Sequence, residues 1–245
     1  MVGAPAAADA IARAHRLPRL RVGLHLVLLE GRPVLPAQQV PDLVDGDGRF
    51  RRNVLGFACE IFARPAVRRQ VAGEIEAQFA AFRATGLALD HVNAHKHFHL
   101  HPTIAGELLA IGSRYGMRGL RVPHEPVATL AEVKALAPPD YLTKLGLAPW
   151  AASLRRRARR AGLTVSDSVF GLAWSGMMTE ARLSGLLAHL PNGRSEIYLH
   201  PATADVFDGH APGYRYRDEL AALTAPSARA AAGRGDIVLG GYSDC

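Results

Sequence analysis

The sequence predicts an α/β protein with a mainly parallel sheet. Two observations carry this: short apolar runs alternate with helical stretches along the chain, and 245 residues that are 49% hydrophobic are enough to bury a full core of barrel or doubly wound type. No internal repeat or low-complexity linker interrupts the pattern, so residues 1–245 read as a single domain.

Taken in order, residues 21–29 form an apolar run broken by one polar side chain, His25, and read as a buried strand. Residues 67–85 place Val71, Ile75, Phe79 and Phe82 at helical spacing with charges between them, and Gly86 supplies the C-terminal cap. Residues 87–95 are the next strand. Thr103 opens a helix towards Tyr115, and residues 119–122 form a short strand ending before Pro123. The proline patches at 123–126 and 138–139 read as loops. Helices are expected over 128–136, 141–161 and 179–189. Strands are expected over 196–200 and 236–240, with a helix at 217–232 between them.

Composition narrows the function classes. Cys59 and Cys245 lie far apart in sequence, which argues against a disulfide scaffold and fits a reducing compartment. The first ten residues lack the basic start and apolar core of a signal peptide, and no eighteen-residue apolar run is present, so a cytoplasmic protein is expected. The formal charge of +7 is partly concentrated in Arg155, Arg156, Arg157, Arg159 and Arg160. That run is either a solvated helix face or a patch for phosphate or anionic lipid. Without interleaved aromatics or a recognisable module, nucleic acid is not an expected partner. The sequence sets no oligomeric state.

Chemistry concentrates at residues 91–102, His-Val-Asn-Ala-His-Lys-His-Phe-His-Leu-His-Pro, which hold five of the eleven histidines. His91, Asn93, His95, His97, His99 and His101 fall at every second position, and in an extended segment alternate side chains share a face. Neutral imidazole is a common metal ligand and a general acid or base suited to neutral pH, so the row suggests a metal-centred site. A polar strand edge is the alternative. His25, His95 and His200 each stand within or near the end of an expected strand, where parallel sheets place their active sites. Three such placements together favour convergence on one site.

Gly23-Leu-His-Leu, Asn93-Ala-His-Lys-His-Phe-His-Leu-His-Pro, Glu196-Ile-Tyr-Leu-His-Pro, Tyr216-Arg-Asp-Glu-Leu and Gly240-Gly-Tyr-Ser-Asp together resemble the YdjC-like carbohydrate deacetylases, which include chitooligosaccharide deacetylases. The histidine segment is most similar to the branch associated with hopanoid biosynthesis. The resemblance implies a distorted (β/α) TIM-like barrel and one divalent metal ion, Mg or Zn. It assigns His25 and His95 as metal ligands, beside an aspartate near the family's N-terminus, and His200 as proton donor or substrate contact. Arg121 would orient substrate, while Asn93, His97 and His99 would contact substrate or orient His95.

This sequence departs from the family pattern at two points. It begins after the family's first strand, which carries an Asp-Asp pair, and its helix; the expectation is a domain incomplete at its N-terminus. Asn93 stands where many relatives carry aspartate. The implied reaction is metal-assisted hydrolysis of an N-acetyl group on an amino sugar, and the hopanoid-branch resemblance suggests a lipid-linked one. The arginine run would then hold the enzyme peripherally at an anionic membrane, the inner membrane in this reading. Two alternatives stand beside this reading: a two-ion phosphoesterase, which needs several bridging carboxylates, and a non-catalytic binding protein on the same fold.

Overall fold

A computed structural model describes residues 1–134 and 138–244, with side chains outside 138–145. In chain order the elements are α1 (Ala7–His15), β1 (Val22–Leu26), α2 (Val54–Ala63), α3 (Pro65–Ala84), β2 (Leu89–Ala94), α4 (Pro102–Arg114), α5 (Val127–Val133), α6 (Pro138–Arg160), β3 (Ser168–Phe170), α7 (Glu180–Ala188), β4 (Ser195–Ile197), α8 (Tyr216–Thr224) and α9 (Pro226–Ala232). Single-turn helices lie at Ala37–Gln39 and Tyr242–Asp244, and a kinked pair of short helical turns at His95–Leu100. The fold is mixed α/β with short parallel strands: β1 pairs with β2 and β3 with β4. Bridges Val92–Leu120 and Gly119–Thr164 carry the β1–β2 sheet two extended segments further. The chain forms two compact units, one of Met1–Val122, Ala152–Val165 and Gly240–Cys245, the other of Pro123–Ala151 and Ser166–Leu239.

In the first unit α3 is the main packing helix. Pro65 occupies its first turn, where the missing N–H costs nothing, and Val67, Val71, Ile75, Phe79 and Phe82 form its buried stripe. Truncating a fully buried aromatic such as Phe79 to alanine costs about 3–5 kcal/mol. Two polar residues share that stripe, Glu74 and Gln78. Gln78 accepts from the Val27 N–H at 3.0 Å and donates to the Val27 carbonyl at 2.6 Å. Glu74 accepts from Val34 N at 2.8 Å and Leu35 N at 3.0 Å. These bonds satisfy buried backbone with side chains in place of a strand partner. They explain why β1 stops at Leu26 although the apolar run continues to Leu29.

The second unit is organised around Phe170, Trp174, Met178, Leu183, Leu186 and Ala222. Thr179 caps α7, its hydroxyl accepting from Arg182 N at 3.4 Å. Several expectations are corrected here. The helix read over 217–232 is two helices, because Pro226 forces Ala225 into extended geometry, with φ −61° and ψ 136°. The strand read over 236–240 does not form; Val238 and Leu239 are 94% and 73% exposed, and Ile237 closes a turn onto Arg234. The strand read over 119–122 reduces to two bridges. Pro138 and Pro139 begin a helix instead of lying in a loop, as proline does in a first turn. The end of the helix read over 128–136 lies outside the described residues, as does Cys245; Cys59 is exposed and unbridged. The sequence reading passed over α1, α2 and the three-residue β3.

Candidate functional site

The site grows from the register of β1 against β2. Leu24, His25 and Leu26 stand beside Val92, Asn93 and Ala94, whereas Val22 stands beside Leu89, so one extra residue bulges from β2 at Asp90–His91 opposite Gly23. Gly23 is required by space. A Cβ there would sit 2.6 Å from His91 Nε2 and 2.7 Å from the His91 carbonyl oxygen. The bulge lets neighbouring side chains meet, and Asp90 Oδ2 lies 2.8 Å from His91 Nδ1. His91 Nε2 lies 3.3 Å from Asn93 Nδ2, and Asn93 Oδ1 lies 2.5 Å from His25 Nδ1.

Beyond Ala94 the predicted alternation breaks down. His95–Leu100 form a kinked segment of short helical turns, broken at Lys96 and His97, which adopt φ of 52° and 53°, in the left-handed region. His97, His99 and His101 therefore do not continue the face of His91 and Asn93. The turn sets the His95 ring edge-on to His25, with centroids 5.8 Å apart. Glu30, with φ of 63°, completes the cluster: Oε2 is 3.1 Å from His95 Nε2 and Oε1 accepts from Lys96 Nζ at 2.5 Å. Gly31 N donates to Leu29 O at 2.7 Å, closing a tight turn around Glu30. Among the described residues the non-glycine positions with positive φ are Glu30, Lys96 and His97, all at this cluster, where strained backbone commonly marks function.

Burial sets the charge state. Desolvation, opposed by the Asn93 contact and aided by the nearby charges of His95 and Arg121, pushes the His25 imidazole down to about 3, so it is neutral at pH 7. Burial alone would raise Glu30, but hydrogen bonds from Lys96 and His95 outweigh it and hold the carboxyl below its ordinary range. His99 is fully buried and donates from Nε2 to the Arg121 carbonyl at 2.8 Å; desolvation lowers it to about 4. Its observed partner is thus the backbone of the neighbouring extended segment, where Arg121 N in turn donates to Val92 O at 2.9 Å. The His97 ring lies 6.2 Å from that of His99.

His25, Asn93, His95, His97, His99 and Arg121 all belong to the first unit, and His200 belongs to the second. There Glu219, 1% exposed, accepts from Met178 N at 3.0 Å and from His200 N, and its carboxylate lies 3.8 Å from His200 Nδ1. The Tyr198 and Tyr214 rings flank His200 at 5.6 and 5.1 Å. Sequence reasoning missed Glu30 and Glu219. Glu30 was signalled by an acid followed by glycine just past an apolar strand, and Glu219 by its place in Tyr216-Arg-Asp-Glu-Leu.

Two imidazoles sharing one ion at about 2.0–2.1 Å per nitrogen bring their ring centroids to within roughly 5–6 Å, so His25 and His95 fit two ligand positions. Glu30 is the carboxylate in contact with His95. Among the described residues, no group of three or more His, Cys, Asp or Glu is placed to hold an ion. Among the same residues no helix is long and apolar enough to cross a membrane.

Comparison with known proteins shows what the chain as a whole is similar to. The chain is 41% identical over 106 residues to a carbohydrate deacetylase of Brevibacillus brevis, covering 43% of this chain and 40% of that protein. It is 31% identical over 248 residues to the human carbohydrate deacetylase, covering 90% of this chain and 72% of the relative. Its fold is similar to the crystal structure of an Enterococcus faecalis V583 protein described as acting in cellobiose-phosphate cleavage, with a TM-score of 0.74 at 21% identity, covering 100% of this chain and 85% of the other. Residues 1–233 match the family model of YdjC-like proteins, and the chain belongs to that family.

Proposed function

We propose that this chain is a carbohydrate deacetylase, a hydrolase that removes an N-acetyl group from an amino sugar with one divalent ion, Mg or Zn, held by His25 and His95. Its similarity over 90% of its length to a protein named carbohydrate deacetylase carries the reaction class. The His25–His95 pair, 5.8 Å apart in a strained and partly buried cluster, supports the metal. In this reading the parallel segments belong to a distorted (β/α) barrel, and the hopanoid-like histidine segment directs the enzyme to a hopanoid-linked amino sugar.

A bound ion supplies Lewis acidity, polarising the amide carbonyl and making water a better nucleophile at neutral pH. The chain's own groups do the rest. Neutral His25 offers a lone pair because burial keeps the proton off. Glu30, fixed by Lys96, orients His95 through its Nε2 contact. Water adds to the acetyl carbon and loses its proton to a carboxylate, the C–N bond breaks to leave acetate, and His200, its Nδ1 3.8 Å from the buried Glu219 carboxylate, gives a proton to the departing amine. Arg156, Arg159 and Arg160 are exposed on α6 and provide the membrane contact that a lipid-linked substrate requires.

The test combines metal analysis with acetate release from N,N′-diacetylchitobiose and from an N-acetylated glycosyl hopanoid in vesicles. The expected result is one ion per chain, chelator-sensitive acetate release, and loss of both metal and activity in His25→Ala and His95→Ala. Unchanged metal content in both variants removes the ligand assignment. A metal-loaded protein that releases no acetate from either substrate overturns the reaction.

A further inference from the structure

A line of hydrogen bonds runs through β2 from the C-terminal turn to His25. Asp90, 3% exposed, accepts at Oδ1 from Ser243 N at 2.9 Å and Ser243 Oγ at 2.7 Å, and at Oδ2 from Tyr242 N at 3.1 Å. The same Oδ2 meets His91 Nδ1 at 2.8 Å, and the Tyr242 ring stacks on His91 with centroids 4.8 Å apart. Gly119 admits Tyr242, since a Cβ there would lie 2.5 Å from the Tyr242 Cβ. The closing Gly-Gly-Tyr-Ser-Asp motif is therefore built into the base of the strand that carries Asn93.

Each bond in this line has a fixed direction. A carboxylate only accepts, so His91 Nδ1 carries a hydrogen. The Asn93 amide nitrogen only donates, so His91 Nε2 accepts from it. The Asn93 carbonyl only accepts, so His25 Nδ1 must carry a hydrogen, and the lone pair of that ring lies on Nε2. We propose that Asp90, His91 and Asn93 are positioning residues which, anchored by Tyr242 and Ser243, impose the Nδ1–H tautomer on His25 and aim its Nε2 lone pair at the site. Every residue in the line has a reason to be there: the bulge brings Asp90 and His91 together, Gly23 leaves room for the His91 ring, and the parallel register sets Asn93 beside His25. Hydrogen bonds of this kind behind a ligating imidazole fix its orientation and raise its basicity.

The tautomer assignment stands on the hydrogen bonds alone, while its use for metal binding rests on the deacetylase reading, and the two are separable by experiment. Long-range ¹H–¹⁵N correlation spectra of histidine rings in chelator-treated protein report the protonated nitrogen directly. The expected result is Nδ1–H on both His25 and His91; Nε2–H on His25 overturns the proposal. In Asn93→Leu and in His91→Phe, which keeps a ring against Tyr242, His25 is expected to populate Nε2–H and Zn²⁺ affinity to fall about ten- to a hundred-fold. Asn93→Asp keeps an acceptor opposite His25 and should restore the Nδ1–H signature. A His25 ring spectrum identical in the unmodified protein and in both Asn93→Leu and His91→Phe also overturns the proposal. Failure of the unmodified protein to take up Zn²⁺ counts against the metal reading, and the ring spectra then decide the tautomer on their own.

Discussion

Replacing Asp90 by asparagine removes the charge on which the C-terminal turn hangs. Burial alone would raise this carboxyl, but hydrogen bonds from Ser243, His91 and Tyr242 outweigh it and bring it from 3.8 to about 2. At 1.36 kcal/mol per pH unit that difference corresponds to about 2 kcal/mol of folding stability, and at 3% exposure little of it is lost to solvent screening. The sign follows from the direction of the shift: a depressed carboxyl stabilises the fold above its unfolded value and loses that contribution as pH falls towards the folded one. The unmodified protein should therefore exceed Asp90→Asn by about 2 kcal/mol at pH 7, and roughly 1 kcal/mol of that margin should be gone by pH 3. Urea unfolding of both proteins from pH 7 to pH 3, read by tryptophan fluorescence and far-UV dichroism, measures the margin. A margin that stays constant over this range, or one below about 0.5 kcal/mol at pH 7, refutes the reasoning.

Gly23→Ala places a methyl against the His91 ring and carbonyl, and overpacking of this kind costs about 1–3 kcal/mol, read as a lower urea midpoint; an unchanged midpoint would show that the bulge yields freely. His200→Gln should keep its metal and lose about 10²- to 10⁴-fold in kcat, and a normal rate would make His200 structural. Glutamine at Arg156, Arg159 and Arg160 should abolish co-sedimentation with anionic vesicles at low salt, since each basic group contributes about 1 kcal/mol at such a surface; equal sedimentation of the two proteins leaves the run a solvated helix face.

Much of this protein was legible in its sequence wherever the signal was local. The 3.6-residue spacing of Val71, Ile75, Phe79 and Phe82 defines a helix whatever surrounds it, and Gly86 ends it at φ 74° because only glycine takes that conformation without strain. The density of histidine at 91–101 singled out the segment that carries the strained backbone at Lys96 and His97. Tertiary structure decided what depends on partners distant in sequence. Gln78, 51 residues from Val27, takes the backbone groups that would have lengthened β1. Glu30 reaches His95 across 65 residues, and the left-handed turn at Lys96 and His97 ends an alternation that the sequence pattern carries through His101. Asp90 meets Ser243 across 153 residues. Spacing records which residue types are present and at what period, while the pairing of a buried donor with its acceptor is set by the packed fold, where each polar group must find a partner or bear the cost of lost water.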